Sequence, residues 1–431
     1  MANEITLQST KLRSRKPNWS ELPIDPCETI LSKLTPKSIL RFKAVCPSWK
    51  RAVQFILMSS SFTDAQEPPW LLLHRQDGHC GFRFYSFEGK TYNLNKNMPE
   101  VFGHSVCFAS DQGWLLLLVF QKMNFSKLLL FNPLSGTQLL LPPLRSFPDI
   151  LYIVHNHDED SSKIHIKITN PDPTTPPQSF CLDITSAVDI KRKFITKAVI
   201  LSSRPILNSN NKSSSVGVFV MYRYVTQMVR GFSLAFCKTE DDEWTKLDEQ
   251  IAYQDITSYE NQLYALCCDH TTVQVWDLVM SSFPVKKLEI KVDASSIVLD
   301  TPTNWYRIPY IIKTGVDDLF LVVRLFDRSF MEPTVLHIYK RDSNDRWMAV
   351  DSIGDHALVL GLTQQSISIS SKDLPEYDQN SIYFTSPFKV KNQCRFGLFG
   401  WRNKGKEVCV GNVPLGMFLF VPNPFSRIRA S

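Results

Sequence analysis

Three proline-marked helix starts fall within residues 19–53, and their spacing dictates a compact helical module ahead of everything that follows. Asp25, Pro26 and Glu28 supply an N-cap, an N1 proline and an N3 carboxylate. Thr35-Pro36 repeats the cap and proline pair, and Cys46-Pro47 marks a third start. Apolar residues then recur at helical spacing, with Cys27, Ile30, Leu31 and Leu34 on the first helix and Trp49, Val53, Ile56 and Leu57 on the third. A module of about 40 residues cannot bury all of that surface against itself, so part of it must seek a partner.

Beyond residue 69 the chain consists of short apolar runs separated by turn-forming residues. Segments 70–74, 81–87, 114–120, 127–131, 216–222, 232–237, 319–326, 381–385 and 417–421 have strand length and strand composition. Residues 163–169 and 366–370 alternate strictly, which gives each a wet face. Roughly 22 to 26 such runs fit a sandwich, a solenoid or a propeller. A weak internal repeat selects the last. Phe232 to Trp244 and Thr334 to Trp347 share an apolar strand, a charged turn and then a tryptophan, while Asn261-Gln-Leu-Tyr and Asn380-Ser-Ile-Tyr also recur. Units of about 50 residues arranged around an axis give six or seven blades.

Of the 431 residues, 43% are hydrophobic and 21% charged, ordinary proportions for a folded protein. The net charge of +6 sits entirely in the first 60 residues, where ten Lys and Arg face four Asp and Glu; the rest holds 38 of each sign. A balanced body without a basic, aromatic-interleaved stripe argues against nucleic acid as partner. The run Lys11-Leu-Arg-Ser-Arg-Lys16 suits a solvated basic arm or a nuclear-import signal. Neither a secretory core nor a bilayer-length apolar run appears, so no membrane contact is expected. Ten scattered cysteines without a C-x-x-C pair suit reduced intracellular thiols, and no zinc spacing occurs. The cluster His155-Asn-His157-Asp-Glu-Asp160 follows an apolar strand and is expected to be a polar hairpin loop, not a metal site.

Leu22-Pro23, Ile30-Leu31, Leu34, Leu40-Arg41-Phe42, Val45-Cys46 and Ser48-Trp49 resemble, in order and spacing, the F-box of ubiquitin-ligase substrate receptors. Where that family has an aliphatic pair after the acidic residue, this chain has Pro26-Cys27. The body is similar to the plant propeller-like domain that follows an F-box in SKIP-like and KIB-type proteins. The matching stretches are Gly113-Trp-Leu-Leu, Phe131-Asn-Pro-Leu-Ser-Gly-Thr137 with Leu141-Pro142, Asn261-Gln-Leu-Tyr-Ala-Leu, Val273-Gln-Val-Trp-Asp-Leu278, Leu319 to Arg324, Trp347 with Gly361, and Asn380 to Phe384.

The fold expected is therefore mainly β: a basic arm (1–17), a three-helix F-box module (18–60), a linker (61–69), a six- or seven-bladed β-propeller-like domain (70–425) and a short tail (426–431). The resemblance implies docking on a Skp-type adaptor, and through it on a cullin scaffold, through Leu22, Pro23, Ile30, Leu31, Leu34, Leu40, Val45 and Trp49. The body is then expected to hold a protein target, in the nucleus or cytoplasm. Exposed aromatic and arginine side chains make good anchors, which singles out Tyr222-Arg223-Tyr224, Trp305-Tyr306-Arg307 and Trp401-Arg402. The G-x-S-x-G elbow, P-loop, dinucleotide turn and H-E-x-x-H are all missing, and acids adjacent in turns such as Asp241-Asp242 and Asp317-Asp318 point apart. A non-catalytic receptor without cofactor or metal is expected; a propeller scaffold with a degenerate F-box and a propeller hydrolase are the rival classes.

Overall fold

The computed structural model describes residues 19–31, 33–34, 36–58, 70–74, 82–85, 91–93, 105–111, 113–119, 127–133, 136–156, 163–169, 179–184, 194–202, 216–225, 230–248, 251–278, 283–293, 295, 297, 305–314, 318–327, 335–361, 366–372, 377–385, 393–400, 407–414 and 418–420. The chain divides into two compact units, Met1–Ala65 and Gln66–Ser431.

In the first unit, a short 3-10 turn (Trp19–Glu21) precedes helices α1 (Ile24–Leu31), α2 (Pro36–Lys43) and α3 (Pro47–Met58). The second and third begin at the prolines expected. The first begins two residues before Pro26, which puts Asp25 inside the first turn and not at the cap. A proline is tolerated there because first-turn N–H groups have no intrahelical acceptor, and the Asp25 carboxylate favours the positive end of the helix dipole. Cys27, Leu31, Ile39, Phe42, Ala52 and Val53 form the small core, and Phe42 stacks on Trp49 with ring centroids 4.1 Å apart. Trp49 Nε1 donates to the Trp19 carbonyl at 2.7 Å and Ser48 Oγ to that of Ser20 at 2.5 Å, which ties the 3-10 turn to α3.

The second unit is built of antiparallel sheets around a succession of inner strands. Ser105–Asp111 lies beside Ile195–Ser202, which lies beside Tyr253–Tyr259, then Trp305–Thr314, then Ile367–Ser370. Each begins or edges a sheet running outward, as Trp305–Thr314, Asp318–Asp327, Val335–Arg341 and Trp347–Ala349 do in order. The described strands between Ile195 and Lys291 are joined as one sheet, but a single residue pair, Phe232 with Tyr253, bridges its two halves. Phe418–Phe420, near the end of the chain, pairs with Trp70–His74 near the start of the body and lies beside Ser105–Asp111. The sheet around Ser381–Thr385 departs from the pattern, with five strands and one parallel pair, His356–Leu360 with Ser381–Thr385.

Apolar clusters fill the spaces between successive sheets. Leu116, Leu118 and Leu130 pack with Val218 and Val220; Phe219, Phe236 and Leu263 form the next layer; Leu266, Val275, Leu321 and Trp347 a third; Val322, Ile338, Leu358 and Ile382 a fourth. A strand sandwiched on both faces needs no polar alternation, which explains the fully buried Trp114–Val119. The sheet of Ile150–Asn156, Lys163–Thr169 and Ser179–Ile184 is not part of this succession, because the sheets before and after it share the first cluster directly. With the two halves of the Ile195–Lys291 sheet counted separately, six sheets of the described residues make up the propeller-like body, and one three-stranded sheet is inserted in the sequence.

Both tryptophan repeats have a structural reason. Trp244 and Trp347 follow the turn of an outer hairpin, are buried between sheets, and donate Nε1–H to the carbonyls of Pro142 (3.1 Å) and His270 (3.3 Å) on earlier segments. In the other repeat, Asn261 and Asn380 both take the left-handed conformation (φ 66° and 55°), which asparagine tolerates better than most residues. The described residues form 28 strands, above the number expected, because outer strands such as Gln138–Leu140 and Thr245–Lys246 are only three and two residues long. Strands Ile150–Asn156 and Lys163–Thr169 pair antiparallel as a hairpin expects; the connecting residues 157–162 lie outside the described residues, as does the basic run 11–16.

Candidate functional site

The helical module sorts its motif residues into two groups. Leu31 is buried and belongs to the core, while Leu22, Leu34 and Trp49 are half-buried. Pro23, Ile30 and Val45 are exposed, Val45 at 61% of its surface. Leu40 lies on α2, with its side chain outside the described residues. Trp19 (63%) and Ile24 are exposed too, and sequence reasoning missed both. Their signal was an apolar side chain on either side of Leu22-Pro23, ahead of the first recognised helical repeat. Trp19, Ile24, Ile30 and Val45 thus leave four large apolar side chains in solvent on a small module, surface of the kind that partners cover.

Cys27 occupies an aliphatic position of the core, fully buried, with its Sγ directed at the Leu22 carbonyl 3.9 Å away, and burial raises its thiol pKa. Pro26 beside it is exposed. The Pro26-Cys27 departure therefore changes one core position, Cys27, and one exposed position, Pro26. Cys46 caps α3: its Sγ accepts from Trp49 N–H at 3.5 Å and lies 3.2 Å from Ser48 Oγ. The Ser48 hydroxyl, helped by the Trp49 N–H, lowers the Cys46 pKa.

The candidate target anchors separate more sharply. Tyr222 is a correction: it is fully buried, donates its hydroxyl to Asp149 Oδ2 at 2.5 Å, and packs edge-on against Phe147, so it offers nothing to a partner. Its alternation on Val216–Val225 points it into the cluster shared with Val218 and Val220, whereas Arg223 next to it is exposed. The Tyr224 side chain, Trp401 and Arg402 lie outside the described residues. Trp305 is half-buried against the core, Tyr306 is exposed, and Arg307 is half-buried. Arg307 NH2 lies 3.0 Å from His270 Nε2, an imidazole on the turn after Gln262–Cys267. Burial first, and the neighbouring guanidinium second, push the His270 pKa down to about 4, so the ring is neutral and accepts the Arg307 proton. Arg307 thus faces a neutral partner there and no opposite charge.

Carboxylates do line the inner strands, the arrangement a hydrolase would need. Asp255 is buried, with Oδ1 held by Lys197 and Oδ2 accepting the Ile311 N–H at 2.8 Å. Burial raises its pKa against the opposing pull of Lys197. Asp111 Oδ2 likewise accepts the Ile200 N–H at 2.9 Å. In both cases an aspartate on one inner strand ties the backbone of the next, so these acids join sheets. Among the described residues no group of three or more His, Cys, Asp and Glu is placed to hold a metal ion, and no helix is long and apolar enough to cross a membrane.

An exposed-apolar three-helix module followed by a succession of outward-running sheets suits an F-box protein with a propeller-type body, and residues 19–55 match the F-box domain. The chain belongs to the KIB1-4 beta-propeller family, which matches residues 84–410. It is 23% identical over 418 residues to "F-box protein At5g25290" of Arabidopsis thaliana, covering 92% of this chain and 91% of that one. "Putative F-box protein At4g17565" from the same plant is 24% identical over 417 residues, with 90% of each chain covered. Among solved structures, the N-terminal domain of Nup159 matches at a TM-score of 0.26 and 10% identity, over 78% of this chain and 80% of that one, too slight a likeness to inform the fold.

Proposed function

We propose that this protein is the substrate-recognition subunit of an SCF-type ubiquitin ligase, docking on a Skp-type adaptor through its helical module and presenting a protein target on its β-body. The observation that carries this reading is the module's division of labour, with Leu31, Phe42 and Val53 buried while Trp19, Ile24, Ile30 and Val45 stay in solvent. Its F-box match supports the adaptor and, through it, the cullin. The mechanism is proximity: holding a target near the ubiquitin donor raises effective concentration, and no residue of this chain touches a reacting atom. Arg307, with exposed Tyr306 beside it and a neutral imidazole as its partner, is the strongest of the target anchors; it suits an acidic or otherwise anionic feature of the target. The nucleus and cytoplasm are the compartments this role requires.

Co-purification with a Skp-type adaptor tests the reading on the intact chain. Ile30→Glu and Val45→Glu change exposed positions, so the fold survives while the complex is lost. Retention of the complex by both variants would move the propeller scaffold to first place.

A further inference from the structure

Outer strands are the exposed edges of a propeller, and most of those with described side chains here are short. Gln138–Leu140, Thr245–Lys246 and Trp347–Ala349 have three, two and three residues. Short edges are a protection against unwanted pairing. Val285–Lys291 breaks that pattern: it has seven residues, pairs only with Thr272–Asp277 among the described strands, and exposes every side chain from Val285 to Glu289.

The composition of this edge is as specific as its length. Val275 pairs with Leu288 and Trp276 with Lys286, so Lys287 is an extra residue, a bulge. One extra residue shifts the alternation, which returns Val285 and Leu288 to a common face although they are three apart. Leu288 shares that face with Ile290, a member of the apolar cluster that includes Trp347. Val285 and Leu288 therefore extend a core layer outward into solvent, 57% and 53% exposed. Lys286, Glu289 and Lys291 take the other face. Three lysines meet two carboxylates along the strip, Lys286 and Lys291 with Glu289 and Lys287 with Asp277, at 3.7 to 3.9 Å. Those separations are too long for hydrogen bonds, and the strip keeps a positive surplus.

We propose that Val285–Lys291 is a strand-addition site that accepts an extended, acidic segment of a partner protein, apolar side chains beside Val285 and Leu288 and carboxylates beside Lys286 and Lys291. Main-chain bonds to the edge that no described strand covers supply affinity, and the side-chain pattern supplies selectivity. The same lysines disfavour a second copy of this chain, because two basic edges placed side by side repel. This site deepens the receptor role proposed above and rests on it. Adaptor binding is read separately, so failure of the strand-addition site and failure of the receptor role are distinguishable.

The test uses the full chain with its adaptor and two synthetic peptides, one alternating Glu and Val, the other alternating Lys and Val. Hydrogen exchange is followed across all strands. The Glu-Val peptide slows exchange at alternate amides of residues 285–291, the Lys-Val peptide does not, and the exposed pair Lys286→Glu with Lys291→Glu inverts that preference by about tenfold or more. Glu289→Gln strengthens Glu-Val binding. Lack of protection at saturating Glu-Val peptide, equal protection by both peptides, or protection that rises with protein concentration in the absence of peptide would each overturn the proposal.

Discussion

At the scale of single residues, the clearest consequence of the geometry is a pH dependence. His270 is held neutral, its pKa lowered to about 4, while in the unfolded chain it titrates near 6.5. Between those values the unfolded state binds a proton that the folded state refuses, so stability is lost as the pH falls through 6.5 and is fully present above it. The linkage amounts to about 2 kcal/mol between pH 7 and pH 5. His270 sits at φ 59°, a conformation asparagine also accepts, so His270→Asn removes the titration without a backbone conflict. Urea midpoints at the two pH values should converge in the variant relative to the parent; an unchanged difference would place the titration elsewhere. Nothing in the sequence around Asp269-His270-Thr271 announces this, because its first cause is burial in the folded chain and its second, the Arg307 guanidinium, lies 37 positions away. Tyr222 shows the same limit from the other side. An aromatic-arginine-aromatic string suggests a surface anchor, yet strand alternation sends Tyr222 to Asp149, 73 residues earlier, and only the intervening Arg223 to solvent.

Elements were more legible than side-chain roles, because their signals are local. Proline at the first position set the starts of α2 and α3, and the tryptophans after charged turns marked outer hairpins that the structure confirms. The start of α1 was misplaced because Asp25-Pro26 satisfies the cap pattern equally well two residues into a helix. Cys46 makes the reverse point. Cysteine is an uncommon cap, and here the thiol receives the Trp49 N–H at the third position of α3. Replacement by the commoner cap, Cys46→Ser, should keep exchange of the Trp49 amide as slow or slower, whereas Cys46→Ala should speed it about two- to threefold. Equal rates in all three proteins would mean that the thiol contributes nothing to the helix start.

For the whole molecule, closure is what the sequence conveyed least. A repeat of about 50 residues suggests blades, but the three-stranded sheet of residues 150–184 looks like one more repeat unit and is an insertion, since Asp111 reaches across it in sequence to bond the Ile200 N–H. Only long-range contacts distinguish the two cases, and this one spans 89 residues. The longest of these joins Leu71 to Leu419 and Trp70 to Phe420, so the last described strand completes the sheet begun by the first. In a body held by layers between neighbouring sheets, removing that strand frees an edge of Trp70–His74 and weakens the layer against Ser105–Asp111. A chain ending at residue 414 should unfold roughly 5 °C or more below the intact protein and expose the Trp70–Tyr85 hairpin to protease first, while its complex with the adaptor persists. Unchanged melting would show that the ring does not depend on this pairing. Loss of adaptor binding as well would show that the helical module needs a closed body, and that the two units are one cooperative structure.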